Sequence, residues 1–244
     1  MAVNLDFEIL PQPDGRSCGP TCLHAVYQYY GDDIALEQVL REAPMLPDGG
    51  TLAVLLACHA LRRGYRATIY TYNLHVFDPS WFNGRQVDLR ARLEAQLKAK
   101  REDAQLRETT PSYLEFLELG GQVRFQDLTR ALIREHLTHS QPILTGLSAT
   151  YLYREIREYG PRDEEDDVRG LPAGHFVVLC GYDRAARQVM VADPLQDSPL
   201  SRKRPVYPMH IDRVLGAIFL GVLTSDANLL LLEPPASSHK GSQA

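Results

Sequence analysis

The stretch Gln12-Pro-Asp-Gly-Arg-Ser-Cys18-Gly-Pro-Thr-Cys22 leads into an apolar run that continues to residue 30. This run predicts a helix over residues 18–30, with Cys18 as its first residue. Free N–H groups and the helix dipole stabilise a thiolate at such a position. We interpret Cys18 as a cysteine nucleophile, and the alternative is a buried structural cysteine. The flanking residues agree with this helix: Ser17 as its N-cap, Pro20 in its first turn and Gly31 after its last.

A cysteine nucleophile needs a base to take its proton, and eight histidines are available. His175 is favoured because it opens the run 175–182, which indicates a buried strand rich in β-branched residues. The other histidines fit different places: His24 on another face of the first helix, His59 packed inside a helix, and His136, His139 and His239 at the surface, with His75 and His210 undecided. His175 is therefore the predicted base.

A group that orients His175 is predicted at the other end of the same hairpin. After a polar turn, a returning strand at 188–193 ends at Asp193, where Pro194 stops it. We expect Asp193 to accept a hydrogen bond from one ring nitrogen of His175, while the other faces Cys18. Centring the turn between Ala185 and Ala186 leaves the pair about three positions out of register. A twist, a bulge or a shifted turn must absorb that offset.

Acyl transfer also needs donors for the negative charge that develops on the carbonyl oxygen. The Gln12 side-chain amide and the Cys18 backbone N–H would supply two of them. Taken alone, Gln12 fits a solvent-exposed loop residue equally well. The four residues together indicate a thiol-based acyl-transfer site: Gln12, Cys18, His175 and Asp193.

These motifs resemble the papain-like bacteriocin-processing, or double-glycine leader, cysteine peptidase family, in its stand-alone members. The resemblance rests on Gln12, Cys18-Gly-Pro-Thr-Cys22, Gly174-His175-Phe-Val-Val and Ala192-Asp193-Pro194. It implies Cys18 as nucleophile, His175 as base, Asp193 as orienting residue and Gln12 as oxyanion donor. It also implies an α+β papain-like fold, in which an N-terminal helical part with the nucleophile packs on an antiparallel sheet that carries the histidine and the aspartate.

The predicted function is a cysteine peptidase-like hydrolase that cleaves a peptide bond in a peptide or protein substrate, without a metal or an organic cofactor. Two alternatives stay open. One is an acyltransferase or transpeptidase of the same fold, which passes the acyl group to an amine instead of water. The other is a non-catalytic papain-like binding module. A double-glycine preference is implied by the resemblance alone.

Composition favours one enzyme-sized globular unit, since the chain has 244 residues, 44% of them hydrophobic, and a net charge of −5. No Lys/Arg cluster with interleaved aromatic residues is present, which argues against a nucleic-acid partner. The longest strongly apolar stretch, 214–223, is far shorter than the ~20 residues that cross a bilayer. We find no signal segment and expect a cytoplasmic protein without a membrane span. The remaining cysteines are predicted to be reduced packing residues, since no zinc-binding motif accompanies them: Cys22, Cys58 and Cys180.

The pattern along the chain predicts a single domain over residues 1–233 and a disordered tail at 234–244. Helices are predicted at 18–30, 35–42, 51–63, 86–106 and 126–138. Strands are predicted at 66–72, 142–148, 175–182, 188–193, 217–224 and 228–232.

Two charged segments are candidate contact surfaces for a protein partner. One is a charged insertion at about 85–118, and the other is the acidic run 163–167, just before His175. The acidic run would serve as a lid that recruits a basic substrate, or it is a solvated loop. Tyr151, Tyr153 and Tyr159 lie before it and would either line a substrate cleft or pack at a strand end.

Overall fold

The structure is a computed structural model of the chain, and it describes residues 2–46, 50–84, 87–196, 198–200 and 204–235. The α-helices within these residues are Cys18–Tyr29 (α1), Leu36–Glu42 (α2), Ala53–Arg62 (α3), Leu89–Ala99 (α4), Ala104–Glu118 (α5), Arg130–Thr138 (α6) and Ile211–Leu220 (α7). The strands are Ala2–Asn4 (β1), Arg66–Thr71 (β2), Gln122–Arg124 (β3), Ile143–Ser148 (β4), Glu158–Tyr159 (β5), Glu164–Glu165 (β6), Gly174–Asp183 (β7), Gln188–Ala192 (β8), Val206–His210 (β9) and Asn228–Glu233 (β10).

Most of the described strands join one sheet in the order β3-β2-β10-β4-β7-β8-β9, and β1 pairs with the end of β7. Neighbouring strands are antiparallel, except that β2 and β3 run parallel. The sheet centre is apolar and closed to solvent, since every residue of β4 is buried. The fold is therefore α+β with a mainly antiparallel sheet, as the sequence predicted.

Helix α1 belongs to the core, because residues 19–27 are all buried and the helix packs against β7. Its predicted range of 18–30 is confirmed to within one residue. Gly31 follows it with a φ of 76°, a left-handed conformation that suits glycine after a helix. At its other end Gly19 allows a close approach, since a Cβ there would lie 2.5 Å from Cγ2 of Thr51. The start of α1 is thereby held against the segment that leads into α3.

The strand predicted at 217–224 is wrong. That segment lies in α7 and in the 3-10 turn Gly221–Thr224 that follows it. The buried residues of α7 have helical spacing, and His210 caps the helix by accepting a hydrogen bond from the backbone N–H of Asp212. A short apolar run does not by itself distinguish a strand from a buried helix. The buried residues of this helix are Ile211, Val214, Ala217 and Ile218.

The single amphipathic helix predicted at 86–106 is two helices, α4 and α5, and residues 85 and 86 lie outside the described part of the chain. The break occurs because Asp103 accepts a hydrogen bond from the backbone N–H of Leu106 and so begins a new helix. Helix α5 packs against α3. The charged insertion is therefore joined to the helical part of the fold through α3. The disordered tail predicted at 234–244 lies mostly outside the described residues, which end at Pro235.

Candidate active site

Cys18 is the first residue of α1 and is partly exposed at the surface of a cleft. The prediction that Ser17 caps this helix with its side chain is wrong, because the Ser17 hydroxyl donates to the Asp14 carbonyl instead. No described side chain caps the first turn of α1. The free N–H groups at this end of the helix are thus left facing the thiol and whatever binds beside it.

His175 is the second residue of β7 and is buried, with 8% of its surface exposed. Its Nε2 lies 2.9 Å from Oδ1 of Asp193, and Cys18 is a hydrogen-bond partner of the ring. Since Nε2 is taken by Asp193, Nδ1 is the nitrogen left for the thiol. Burial alone would lower the pKa of His175, but Asp193 and Cys18 outweigh it and raise the pKa to about 10. The imidazole therefore favours its protonated form beside the Asp193 carboxylate.

Asp193 directly follows β8 and is almost fully buried, with 1% of its surface exposed. Burial would raise the pKa of its carboxyl, yet the hydrogen bond and charge of His175, with further donors, lower the pKa to about 2. Those donors include the hydroxyls of Tyr153 and Tyr207, each 2.7 Å from Oδ2, and the Leu195 backbone N–H, 3.0 Å from Oδ1. The carboxylate is thus fixed from several sides.

The two tyrosines were not predicted to orient Asp193. Tyr153 was expected only to line a cleft or pack at a strand end, and nothing in the spacing of Tyr207 connects it with Asp193. Tyr153 lies in a short π-helical turn, Thr150–Arg154, and Tyr207 lies in β9. Both rings are buried, and burial together with the Asp193 charge raises the pKa of each hydroxyl. Both therefore stay protonated and act as donors.

Gln12 is tied to the same loop by its backbone, since its N–H donates to the carbonyl of Pro194 over 2.8 Å. Its side-chain Nε2 donates one N–H to the Asp14 carbonyl at 2.7 Å, and its other N–H has no partner among the described residues. Gln12 is not among the described residues that line the cleft with Cys18. The Gln12 amide oxygen is buried and has no partner in the described part of the chain. Gln12 thus lies beside the residue that follows Asp193, and its amide keeps a donor available.

The cleft that exposes Cys18 has a volume of about 360 Å³. Its walls come from five places: the loop that leads into the start of α1, the segment before α3, helix α5, the start of β7 and the turn after α7. A Cβ at Gly174 would lie 2.9 Å from Cβ of Thr224, so these two walls nearly touch beside His175. The residues that line the cleft include Arg16, Cys18, Thr51, Glu108, His175, Thr224 and Asp226.

A family model described as the Peptidase_C39 like family matches residues 4–210. The chain belongs to this family. Among solved structures, this C39-like chain is similar to a C39-like peptidase from Bacillus anthracis, with a TM-score of 0.51 and 14% identity over 96% of this chain and 98% of the other. At that identity the likeness shows the fold alone. No curated protein matches the chain.

Two further similar structures are peptidase domains. One is the peptidase domain of Streptococcus ComA, a bi-functional ABC transporter involved in a quorum-sensing pathway, with a TM-score of 0.43 and 16% identity over 93% of this chain and 98% of that one. The other is a double-glycine motif protease from an AMS/PCAT transporter in complex with its leader peptide, with a TM-score of 0.44 and 14% identity over 95% and 94% of the two chains. In the described part of this C39-like chain, no helix has the length and apolar character to cross a membrane.

The other cysteine and histidine side chains of the C39-like chain that could bind a metal ion lie apart from the cleft or are buried. Cys22, Cys58 and Cys180 are buried free thiols, and burial raises the pKa of each. His59 is packed between Tyr27 and Glu42, and His139 is exposed. Within the described residues, no cluster of three His, Cys, Asp or Glu side chains is arranged to hold a metal ion.

Asp226 is a cleft residue of the C39-like chain that the sequence did not indicate. It follows the 3-10 turn after α7 and is buried, and its Oδ1 accepts a hydrogen bond from the backbone N–H of Ala53 at 3.2 Å. The Asp226 carboxyl therefore caps the N-terminus of α3 from a position distant in the sequence. The side chain of Asp226 packs against β4, where a Cβ at Gly146 would lie 2.6 Å from the Asp226 carboxyl carbon. Burial raises the pKa of Asp226 from 3.8 to about 7, although the Ala53 N–H lowers it.

The raised pKa of Asp226 predicts a pH-dependent stability. Between about pH 4 and pH 7 the unfolded chain releases the proton of this carboxyl while the folded chain keeps it, so the contribution of Asp226 is lost as pH rises. We expect Asp226→Asn to have a higher free energy of unfolding than the wild type at pH 8. The difference between the two proteins should be larger at pH 8 than at pH 5 by about 2 kcal/mol. Urea unfolding at both pH values measures this. Asp183→Asn, at the last residue of β7, is the control, and an equal effect of Asp226→Asn at the two pH values would contradict the prediction.

Proposed function

We propose that the chain is a cysteine peptidase that cleaves a peptide bond with Cys18 as nucleophile and His175 as its base and acid. The observation that carries this proposal is the buried pair of His175 and Asp193, 2.9 Å apart, beside a cysteine at the uncapped start of a helix. A buried carboxylate that accepts four hydrogen bonds and raises the pKa of a cleft histidine is more than packing requires. Membership in the Peptidase_C39 like family supports the same reaction class.

In this proposal His175 already holds the proton of Cys18 as an imidazolium, and the thiolate sulfur attacks the carbonyl carbon of the scissile bond. The electron pair of the carbonyl moves to its oxygen, which the Cys18 backbone N–H and the free amide N–H of Gln12 stabilise. When the tetrahedral intermediate collapses, the C–N bond breaks and His175 gives its proton to the leaving amine. Water then attacks the thioester with His175 as base, which releases the acid and restores the thiol. Asp193 holds the imidazole in the productive tautomer.

The narrow cleft supports a choice of small residues beside the cleaved bond. The walls at Gly174 and Thr224 are too close for a side chain between them, and Thr51, which also lines the cleft, lies against Gly19 at the start of α1. We propose Gly-Gly before the scissile bond as the preferred pair. One of the solved structures similar to this chain is a double-glycine motif protease in complex with a leader peptide, which agrees with this preference.

The substrate groove is proposed to continue past Arg16. There a second cavity of about 580 Å³ adjoins the cleft through Gly15 and Arg16, and Asp163 lies at its edge. Asp163 belongs to the acidic run, which forms part of the β5–β6 hairpin. The acidic run would therefore contact the substrate chain on one side of the cleft, in line with the partner surface expected from the sequence.

The experiment that tests the proposal is the alkylation rate of Cys18 by iodoacetamide at pH 6.5, read by peptide mass spectrometry. We expect the wild type to label at least about tenfold faster than His175→Ala, because the imidazolium stabilises the reactive thiolate. His139→Ala is the matched control, since His139 is exposed and its ring bonds only to the Glu135 carbonyl among the described groups. The buried Cys22, Cys58 and Cys180 serve as unreactive internal standards.

Equal, slow labelling of Cys18 in all three proteins would contradict the peptidase proposal. It would favour the non-catalytic binding module instead.

A further inference from the structure

Helix α5, which belongs to the charged insertion, forms one wall of the catalytic cleft. Glu108 lies on this helix and lines the cleft together with Cys18 and His175. The helix is attached to the neighbouring wall, because Nε2 of Gln105 donates to the hydroxyl oxygen of Ser225 at 3.1 Å, and Ser225 also lines the cleft. The insertion therefore contributes a charged residue to the cleft that exposes the proposed nucleophile.

The place of Glu108 on α5 directs its side chain toward this wall. Gln105 and Glu108 are three residues apart in the helix, so their side chains lie on the same face. Helical side chains lean toward the helix N-terminus, which brings the Glu108 carboxylate over the turn that carries Gln105. Further along the helix, Glu115 forms an ion pair with Arg62 of α3. These contacts hold the face of α5 that presents Glu108 to the cleft.

The carboxylate of Glu108 is available to a substrate. It is exposed, and it has no ion-pair or hydrogen-bond partner in the described part of the chain. Asp226, the other acidic residue that lines the cleft, is buried and caps α3. Arg16 is a cation on a different wall, and it lines both this cleft and the adjoining cavity, whereas Glu108 lines the cleft alone. The two charges therefore act on different parts of a bound peptide.

We propose that Glu108 is a specificity-determining residue, which favours a peptide with a lysine or an arginine close to the cleaved bond. This inference rests on the proposed peptidase function and names the class of peptide that the same cleft accepts. The cleft has a volume of about 360 Å³, and an extended peptide advances about 3.3–3.6 Å per residue, so the basic residue lies within about four residues of the cleaved bond. An acidic side chain in the same place is repelled by Glu108.

The test uses pairs of fluorescent peptides with Gly-Gly before the scissile bond and a single lysine or glutamate at one nearby position. Binding to full-length Cys18→Ala, measured by fluorescence anisotropy, does not depend on cleavage. We expect the lysine peptide to bind about fivefold more tightly than its glutamate counterpart for at least one position, and this preference to shrink between about 0.1 M and 1 M salt. Adding Glu108→Lys should reverse the preference. Glu118→Lys is the matched control, because Glu118 is exposed on the same helix but does not line the cleft, and it should keep the preference within about twofold.

Cleavage of the same peptide pairs by the wild type separates this inference from the peptidase proposal. Faster cleavage of the lysine peptide, with the order reversed in Glu108→Lys, supports both. Binding that follows the charge without any cleavage supports the role of Glu108 in peptide recognition and contradicts the peptidase proposal. Cleavage at equal rates within every pair would overturn the role of Glu108 alone. Equal binding within every pair, including no binding by either peptide, or equal effects of Glu108→Lys and Glu118→Lys, would overturn it as well.

Discussion

Asp193→Ala is expected to lower both stability and turnover strongly. The carboxylate accepts hydrogen bonds from His175, Tyr153 and Tyr207, and all three would be left as buried donors without a partner. We expect a loss of about 3–5 kcal/mol in the free energy of unfolding, measured by urea titration. Turnover should fall by about 10³–10⁴-fold, the effect of removing the orienting carboxylate from a hydrolase triad. The two tyrosines are the reason that Asp193 contributes to stability as well as to turnover.

Two variants separate the catalytic part of this effect from the structural part. Asp193→Asn keeps the volume and one acceptor, so it should recover part of the stability while turnover stays low, because an amide orients the wrong tautomer of His175. Tyr207→Phe removes one donor and keeps the carboxylate, so it should lose about 1 kcal/mol and keep turnover within about tenfold of the wild type. Wild-type turnover in Asp193→Asn would remove Asp193 from the proposed mechanism.

Cys18→Ala is expected to abolish cleavage of a peptide with Gly-Gly before the scissile bond, by at least about 10⁴-fold in kcat. The reason is that the proposed thioester cannot form without the sulfur. Cys22→Ala is the matched control, since Cys22 lies one helical turn further along α1. Its buried Sγ donates to the Phe176 carbonyl at 3.3 Å, so this change should lower stability slightly and leave turnover nearly unchanged. Release of the C-terminal fragment, followed by mass spectrometry, measures both.

The same assay tests the protonation of His175. Because its pKa is raised to about 10, the imidazolium that protonates the leaving amine persists through neutral pH, and wild-type turnover should fall only as pH rises toward 10.

Cleavage by Cys18→Ala at a rate near that of the wild type would contradict the proposed nucleophile. A substrate with leucine in place of the second glycine should be cleaved far more slowly if the narrow cleft sets the choice.

Much of the fold was predictable because local rules agreed with the tertiary structure. Helices α1, α2 and α3 and the strands of the hairpin follow from apolar periodicity and from the residues that end them, such as Gly31 and Gly64. The strand predicted at 217–224 failed because a short apolar run fits either a strand or a buried helix. Long-range contacts were not predictable either. Asp226 caps α3 from a distant part of the chain, and no local pattern indicates such a partner.

The sequence by itself determined which chemical groups are present and which elements carry them. It predicted a cysteine at the start of a helix, a histidine at the start of a strand and an aspartate at the end of the next. It did not decide whether the last two meet. From the pairing of Gly181 with Met190, Asp193 would lie opposite Val178, three positions from His175 and on the other face of β7.

Only the tertiary structure resolved this offset. A β-bulge leaves Cys180 as an extra residue, so that Leu179 pairs with Val191 and Val178 with Ala192. Asp193 then lies opposite Val177, two positions from His175. Side chains alternate between the faces of a strand, so an even offset places both groups on one face and an odd offset separates them. That single residue lets the carboxylate reach the imidazole, and buried tyrosines from two other elements then fix it there.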